Sequence, residues 1–158
     1  MKGVVVLVIP LMLSSVSAFA AQSSGNAALA LAAQIGAEDP SLSAKQKSVL
    51  AYFLNSQTDV PLPAGVRSIT VKVDKISCRM GDVDIGLHDC TLTFGSKTIT
   101  KSGTAGQMFL ATMQENGVPS DGAAGTIFYN ATAVTCTVDA AEVESHDGGG
   151  AKCTFTSD

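Results

Sequence analysis

The segment RSITVKVDKISCRM, residues 67–80, carries two strand patterns joined out of phase. Ile69, Val71 and Val73 alternate with Thr70, Lys72 and Asp74, and the phase then slips by one, so that Ile76 and Cys78 become the inward pair. A β-bulge near Asp74 and Lys75 accounts for the slip. With that bulge in place, Arg67, Lys72, Lys75 and Arg79 all point outward as a basic stripe on one strand, and Met80, Gly81 and Asp82 form its tip.

The same pattern continues downstream. Val83, Ile85 and Leu87 alternate, and a second change of phase near His88 and Asp89 places Cys90, Leu92 and Phe94 on one face. Gly95 and Ser96 turn the chain into a strand over 97–101, so three consecutive antiparallel strands are expected. Upstream, Leu42, Val49, Leu50, Phe53 and Leu54 share one helical face. Asp39 and Pro40 read as the start of that helix, with proline in its first turn, and the helix is expected over 40–55. Residues 22–26 are polar and read as loose, whereas Ala27 to Ile35 is an alanine-leucine run of high helix propensity. Residues 21–38 are therefore expected to be a loosely ordered or helical segment, and 39–158 a single domain.

A second main helix is signalled by Thr104 and Gln107 at capping-box spacing, by Met108, Phe109 and Met113, and by Gly117 and Pro119 as its end. A mobile loop over 118–123 then leads to a strand over 126–138, in which Phe128, Val134, Cys136 and Val138 share parity. Asp139 and Glu142 open a short helical turn, and the glycines 148–150 reverse the chain into a last strand over 152–156. The fold class read from this order is α+β: an antiparallel sheet of about five strands with two main helices packed on one face, in the order α-βββ-α-ββ. No internal repeat stands out, although each helix precedes a hairpin carrying two of the cysteines.

Those four cysteines, Cys78, Cys90, Cys136 and Cys153, are even in number and free of any C-x-x-C spacing. The first twenty residues state the compartment in which they sit. Lys2 precedes an apolar run from Val4 to Leu13, and Ala18-Phe19-Ala20 is an A-x-A cleavage site, the signature of a short, bacterial-looking secretory signal peptide. The run is too short to cross a bilayer, so a mature chain beginning at Ala21, periplasmic or secreted, with no stable membrane span, is expected. In an oxidising compartment the cysteines read as two disulfides, Cys78 with Cys90 and Cys136 with Cys153, because each pair flanks a hairpin.

Composition narrows the function. The chain has 158 residues, a net charge of −4 and only 15% charged residues, so it lacks the basic footprint of a nucleic-acid binder. Its charges are unevenly spread: no basic residue lies between Lys101 and Lys152, where Glu115, Asp121, Asp139, Glu142, Glu144 and Asp147 all fall. No G-x-S-x-G elbow, H-E-x-x-H pair or Walker loop is present. The two histidines, His88 and His146, are each followed by aspartate, but neighbours on a strand face opposite ways, and both read as surface histidines beside turns. Asp139, Glu142, Glu144 and Asp147 supply oxygen ligands without the order of an EF-hand loop and read as a solvated acidic loop. Asn130-Ala131-Thr132 matches a glycosylation pattern within an expected strand.

No catalytic residue, metal site or cofactor is implied. The architecture resembles that of secreted bacterial enzyme inhibitors such as the β-lactamase inhibitory proteins, in layout alone and with no shared motif. The expected function is an exported, non-enzymatic interaction module. It would present the stripe Arg67, Lys72, Lys75, Arg79, with Met80 and Asp82 and the loop 118–123, to a macromolecular partner in or outside the envelope, a protein or an anionic polymer. The alternative is a small-ligand binder with an apolar cleft between sheet and helices, lined by Phe53, Phe94, Met108, Phe109, Met113 and Phe128. A third reading is a hydrolase using His88 or His146.

Overall fold

The computed structural model describes residues 19–55, 65–81, 88–122, 126–145 and 149–157. In chain order these form β1 (Phe19–Ser24), α1 (Gly25–Glu38), α2 (Ala44–Asn55), β2 (Ser68–Met80), β3 (His88–Phe94) and β4 (Lys97–Ser102). They continue as α3 (Gly103–Glu115), β5 (Ser120–Asp121), β6 (Ile127–Asp139), α4 (Ala140–Ser145) and β7 (Ala151–Ser157). All seven strands lie in one antiparallel sheet of order β1-β7-β6-β2-β3-β4, with β5 added beside β6. The long helices cover one face. The inward side chains Ile69, Val71, Val73, Ile76, Leu92, Val134, Val138 and Phe155 pack there against Leu31, Ile35, Val49, Leu50, Phe109 and Met113 as one continuous core. The α+β class, the antiparallel sheet and both disulfides, Cys78–Cys90 and Cys136–Cys153, are those read from the sequence.

The slip of phase at Asp74 and Lys75 is real: inward burial passes from Val73 to Ile76 across two exposed residues. The central partner β6 slips at the facing positions, from Ala131 to Val134, and so the two strands keep one unbroken register from Ser68↔Asp139 to Met80↔Ile127. The bulge itself lies between β6 and β7, at Ala133, which adopts φ 51°. This slip corrects the parity expected for β6. Tyr129 and Ala131 point inward, and Phe128 is 38% exposed on the opposite face.

Three other expectations change. Residues 19–24 form an edge strand instead of a loose lead, held by pairing to β7 that overrides their poor strand propensity. The second helix begins at Ala44 and not at Pro40, because Ser43 and Gln46 form the capping box there: the Ser43 hydroxyl accepts from the Gln46 amide, and the Gln46 side chain accepts from the Ser43 amide. Asp39 is instead buried, its carboxylate accepting from the Ser41 amide and hydroxyl and from the Lys72 amide. At α3 the cap is Ser102, two residues earlier than the Thr104–Gln107 reading placed it. Its far end is a Schellman motif in which Gly117, at φ 73°, and Val118 donate to Gln114 and Met113.

The sheet order reads the same from either edge, because the chain contains a tandem β-α-β-β unit. Residues 19–94 supply β1, α1, β2 and β3, and residues 97–157 supply β4, α3, β6 and β7. Ser24-Gly25-Asn26-Ala27-Ala28 matches Ser102-Gly103-Thr104-Ala105-Gly106, with both cap serines extended and both following glycines at positive φ. Cys90-Thr91-Leu92-Thr93 matches Cys153-Thr154-Phe155-Thr156, and each cysteine is bonded to the residue directly opposite on the preceding long strand. The units are exchanged. β1 of the first pairs with β7 of the second, β4 of the second pairs with β3 of the first, and each helix covers the other unit's disulfide. Cys153 Sγ lies 3.4 Å from the Ala28 carbonyl of α1, and Cys90 Sγ lies 3.5 Å from the Gly106 carbonyl of α3. The side-chain links across the seam also come as equivalents. Ser23 donates to Asn116 as Lys101 pairs with Glu38, and Gln34 meets Thr112, its counterpart on the sister helix, at 2.7 Å.

Candidate functional site

Because every long helix among the described residues lies on one side, none of the described helices covers the other face of the six principal strands, the bare face. Alternation puts hydroxyl side chains on it almost throughout: Thr70, Thr91, Thr93, Thr98, Thr100, Thr132, Thr135, Thr137, Thr154 and Thr156, with Ser77 and Asn130 joined by a 2.7 Å hydrogen bond. Read across the strands, one row runs Thr156, Thr132, Lys75, Thr93, Thr98, and the row beside it Thr154, Thr135, Lys72. Adjacent strands are about 4.8 Å apart, so the longer row extends roughly 19 Å. Thr91, Thr93, Thr98 and Thr100 make no side-chain hydrogen bond among the described residues and present free donors and acceptors to solvent.

Onto this field β2 projects its cations. Lys72, Lys75 and Arg79 are all exposed, as is Arg67 just before the strand, where its carbonyl accepts from the Ala140 amide. Lys72 and Lys75 hold no ion pair among the described residues, whereas Arg79 pairs with Asp89 at 3.1 Å. Hydrogen bonds from Ser102 and then from the Arg79 guanidinium hold the Asp89 carboxyl below its ordinary value. Of the other acids at this face, Asp121 is exposed beside Phe128, and two are hydrogen-bonded locally. Asp74 accepts from the Gly95 amide, and Asp139 accepts from the Ala141 and Glu142 amides at the start of α4. Lys152 of β7 is also exposed on this side, so Lys72, Lys75, Arg79 and Lys152 stand among Asp74, Asp89, Asp121 and Asp139, with Lys72 and Lys75 at the centre.

The remaining candidates scatter. Met80 is half-buried against the core on the helix side, and Asp82 lies outside the described residues. In the loop 118–123, Val118 is buried at the end of α3, and Ser120–Asp121 pair with β6 as β5. His88 is 8% exposed on the helix side, with its Nδ1 unpartnered, and is thus a buried histidine and not a surface one. Asp89 faces the opposite way, and His146 falls outside the described residues, as does Asp147. Among the described residues no three metal-ligating side chains group together.

The six residues expected to line a cleft between sheet and helices are likewise divided. Phe109 and Met113 are core, Phe53 and Phe94 pack against it, and Met108 and Phe128 are exposed on opposite sides of the molecule. What exists is a groove of about 470 Å³ on the outer side of the helices, floored by Ala33, Ala37, Ala51 and Ala105 and flanked by Leu54 and Met108. On the bare sheet face a second depression, of about 390 Å³, opens where β6 bulges at Ala133, walled by Gln22, Thr154 and Thr156. Sequence reasoning found the stripe on β2 but not the threonine field around it, because a field of that kind exists only once strand order and register are known.

No helix among the described residues is long and apolar enough to cross a membrane. Comparison with protein-family models, with curated proteins and with solved structures returns no match for this chain.

Proposed function

We propose that this protein is an exported, non-enzymatic binding module whose working surface is the bare face of the sheet. The observation that carries the reading is an asymmetry between two otherwise equivalent strands. Lys72, Lys75 and Arg79 on β2 correspond to Asn130, Ala133 and Thr137 on β6, positions fixed by the matched disulfides and the shared register. Neutral residues serve the fold at all three places on β6, so the fold does not require the cations on β2. Exposed lysines without partners contribute little to stability, and long-range attraction of an anionic surface is what they supply. Two short cross-strand disulfides, each worth about 3 kcal/mol on a loop-entropy estimate, make the face rigid. They also fit an oxidising location outside the cytoplasm.

The test is retention on the isolated cell envelope at low and moderate salt, comparing the protein with a Lys72→Asn/Lys75→Ala variant carrying the residues of the sister strand. The reading expects salt-sensitive retention that the variant loses about tenfold or more. Equal retention of both proteins would overturn it. A second reading, a small-ligand binder, is favoured by the 470 Å³ groove over the helices, which falls within the usual range for ligand pockets. Under that reading, retention would be unaffected by the lysines and a Met108→Glu substitution would abolish binding.

A further inference from the structure

We infer that the partner of the bare face is an anionic glycan, lying across the strands along the row Thr156, Thr132, Lys75, Thr93, Thr98 with one ring seated in the depression at Ala133. This rests on the interaction-face reading and names its partner class. Charge complementarity comes first: Lys72 and Lys75 are central and hold no ion pair among the described residues, Asp89 is paired with Arg79, Asp74 and Asp139 accept from backbone amides, and Asp121 lies beside Phe128, four residues along β6 from the row. The rest of the face selects among polyanions. Protein interfaces are anchored by buried aromatics and arginine and are depleted in lysine. Here the cations of the two rows, Lys75 and Lys72, are both lysines, and the one large apolar side chain on the face among the described residues, Phe128, stands at its corner.

Threonine hydroxyls donate and accept at once, as sugar hydroxyls do, and their branched side chains are stiff, so that ordering them on a ligand costs little entropy. The depression adds shape. Its lining combines the hydrogen-bonding side chains of Gln22, Thr154 and Thr156 with Ala20, Ala21 and Phe155, its floor is cleared by the small side chain of Ala133, and Thr156 leads through Thr132 directly to Lys75. A polymer with a carboxylate or phosphate on alternate units can place its charge at Lys75 and a neighbouring ring over Ala133. Lys72, opposite Thr135 in the adjacent row, takes the next charge.

Titration calorimetry with three probes tests this: oligogalacturonate of about ten units, a phosphorylated dextran of similar charge, and polyglutamate of equal charge. One of the two polyol anions should bind in a salt-dependent way, at least about tenfold more tightly than polyglutamate, and Lys72→Asn/Lys75→Ala should remove that binding. Thr93→Val/Thr156→Val keeps the strand shape and the charge; it should weaken polyol binding several-fold and leave polyglutamate unchanged. Polyglutamate binding as tightly as either polyol anion, or no response to the valine variant, would overturn the glycan assignment. Failure of both polyol anions alongside lysine-dependent envelope retention would overturn the assignment and leave the interaction face standing. Failure of both together with lysine-independent retention would remove the face as well.

Discussion

The two β-α-β-β units are built to one plan and finished differently. Residues 19–94 and 97–157 share the serine-glycine helix start, the cysteine-threonine strand and the slip of phase in the long strand, and each covers the other's disulfide with its helix. They differ in what they add. The first unit inserts α2 beside α1, where Leu50 packs so closely that a Cβ on Gly36 would meet its Cδ1 at 2.4 Å. The second inserts α4 between its paired strands and bulges at Ala133. The first also carries all three outward cations of the central pair. The shared features are those that close the core. Of the unshared ones, α2 adds Val49 and Leu50 to the core, whereas the bulge at Ala133 and the three cations lie on the surface.

The exchange of elements makes the largest prediction. If each helix is the cover for the other unit's hairpin, neither unit alone can bury its sheet face. Residues 97–158 expressed without the first unit should show no cooperative unfolding transition by circular dichroism; a cooperative half-molecule would break the exchanged-unit picture. Next come the disulfides, which close loops of 12 and 17 residues in equivalent positions. Replacing either pair by alanine should cost about 3 kcal/mol in urea denaturation, and the two costs should agree within about 0.5 kcal/mol, because closure entropy changes slowly with loop length. A large inequality would mean that the units do not share one role for the bond.

A smaller effect separates the two helices. A Cβ on Gly106 would lie 2.2 Å from the His88 carbonyl oxygen and 2.7 Å from that of Lys101, while the equivalent position on α1 is Ala28. Helix α3 therefore sits closer to its strands than α1 does. Gly106→Ala should destabilise by about 1–3 kcal/mol despite the better helix propensity of alanine, and Ala28→Gly by about 1 kcal/mol through lost propensity. If Gly106→Ala proved neutral, the closer approach of α3 would be wrong. The smallest effect concerns Asp89, whose counterpart is Lys152. Its pKa is lowered from 3.8 in the fold, so its contribution is present above that value and is lost as the pH falls through the folded pKa. Asp89→Asn should flatten that part of the acid stability profile and leave stability near neutral pH almost unchanged, since the pair with Arg79 is exposed.

Much of the covalent and strand framework was legible in residues 67–94, because alternation, the slip at Asp74 and the cysteine spacing are local signals. The repeat was not. The matching pentapeptides at Ser24 and Ser102, and the tetrapeptides at Cys90 and Cys153, are short, and the insertion of α2 gives them unequal spacing along the chain. β1 escaped because Ala21, Gln22 and Ser23 favour no strand on their own and are held by β7. Buried His88 escaped because a phase change beside it hides which face it takes. At the candidate site the lysines could be read from one strand, but the threonine rows belong to five strands, and register between distant strands is not a local property.

The central claim is that the cations of β2 serve binding and not folding. The most direct measurement is a side-by-side comparison of the wild-type protein and Lys72→Asn/Lys75→Ala, taking the urea midpoint and the envelope-retained fraction from the same preparation. The account predicts midpoints corresponding to stabilities within about 0.5 kcal/mol of each other, with retention falling about tenfold. A variant that stays bound, or one that unfolds well before the wild type, would contradict it.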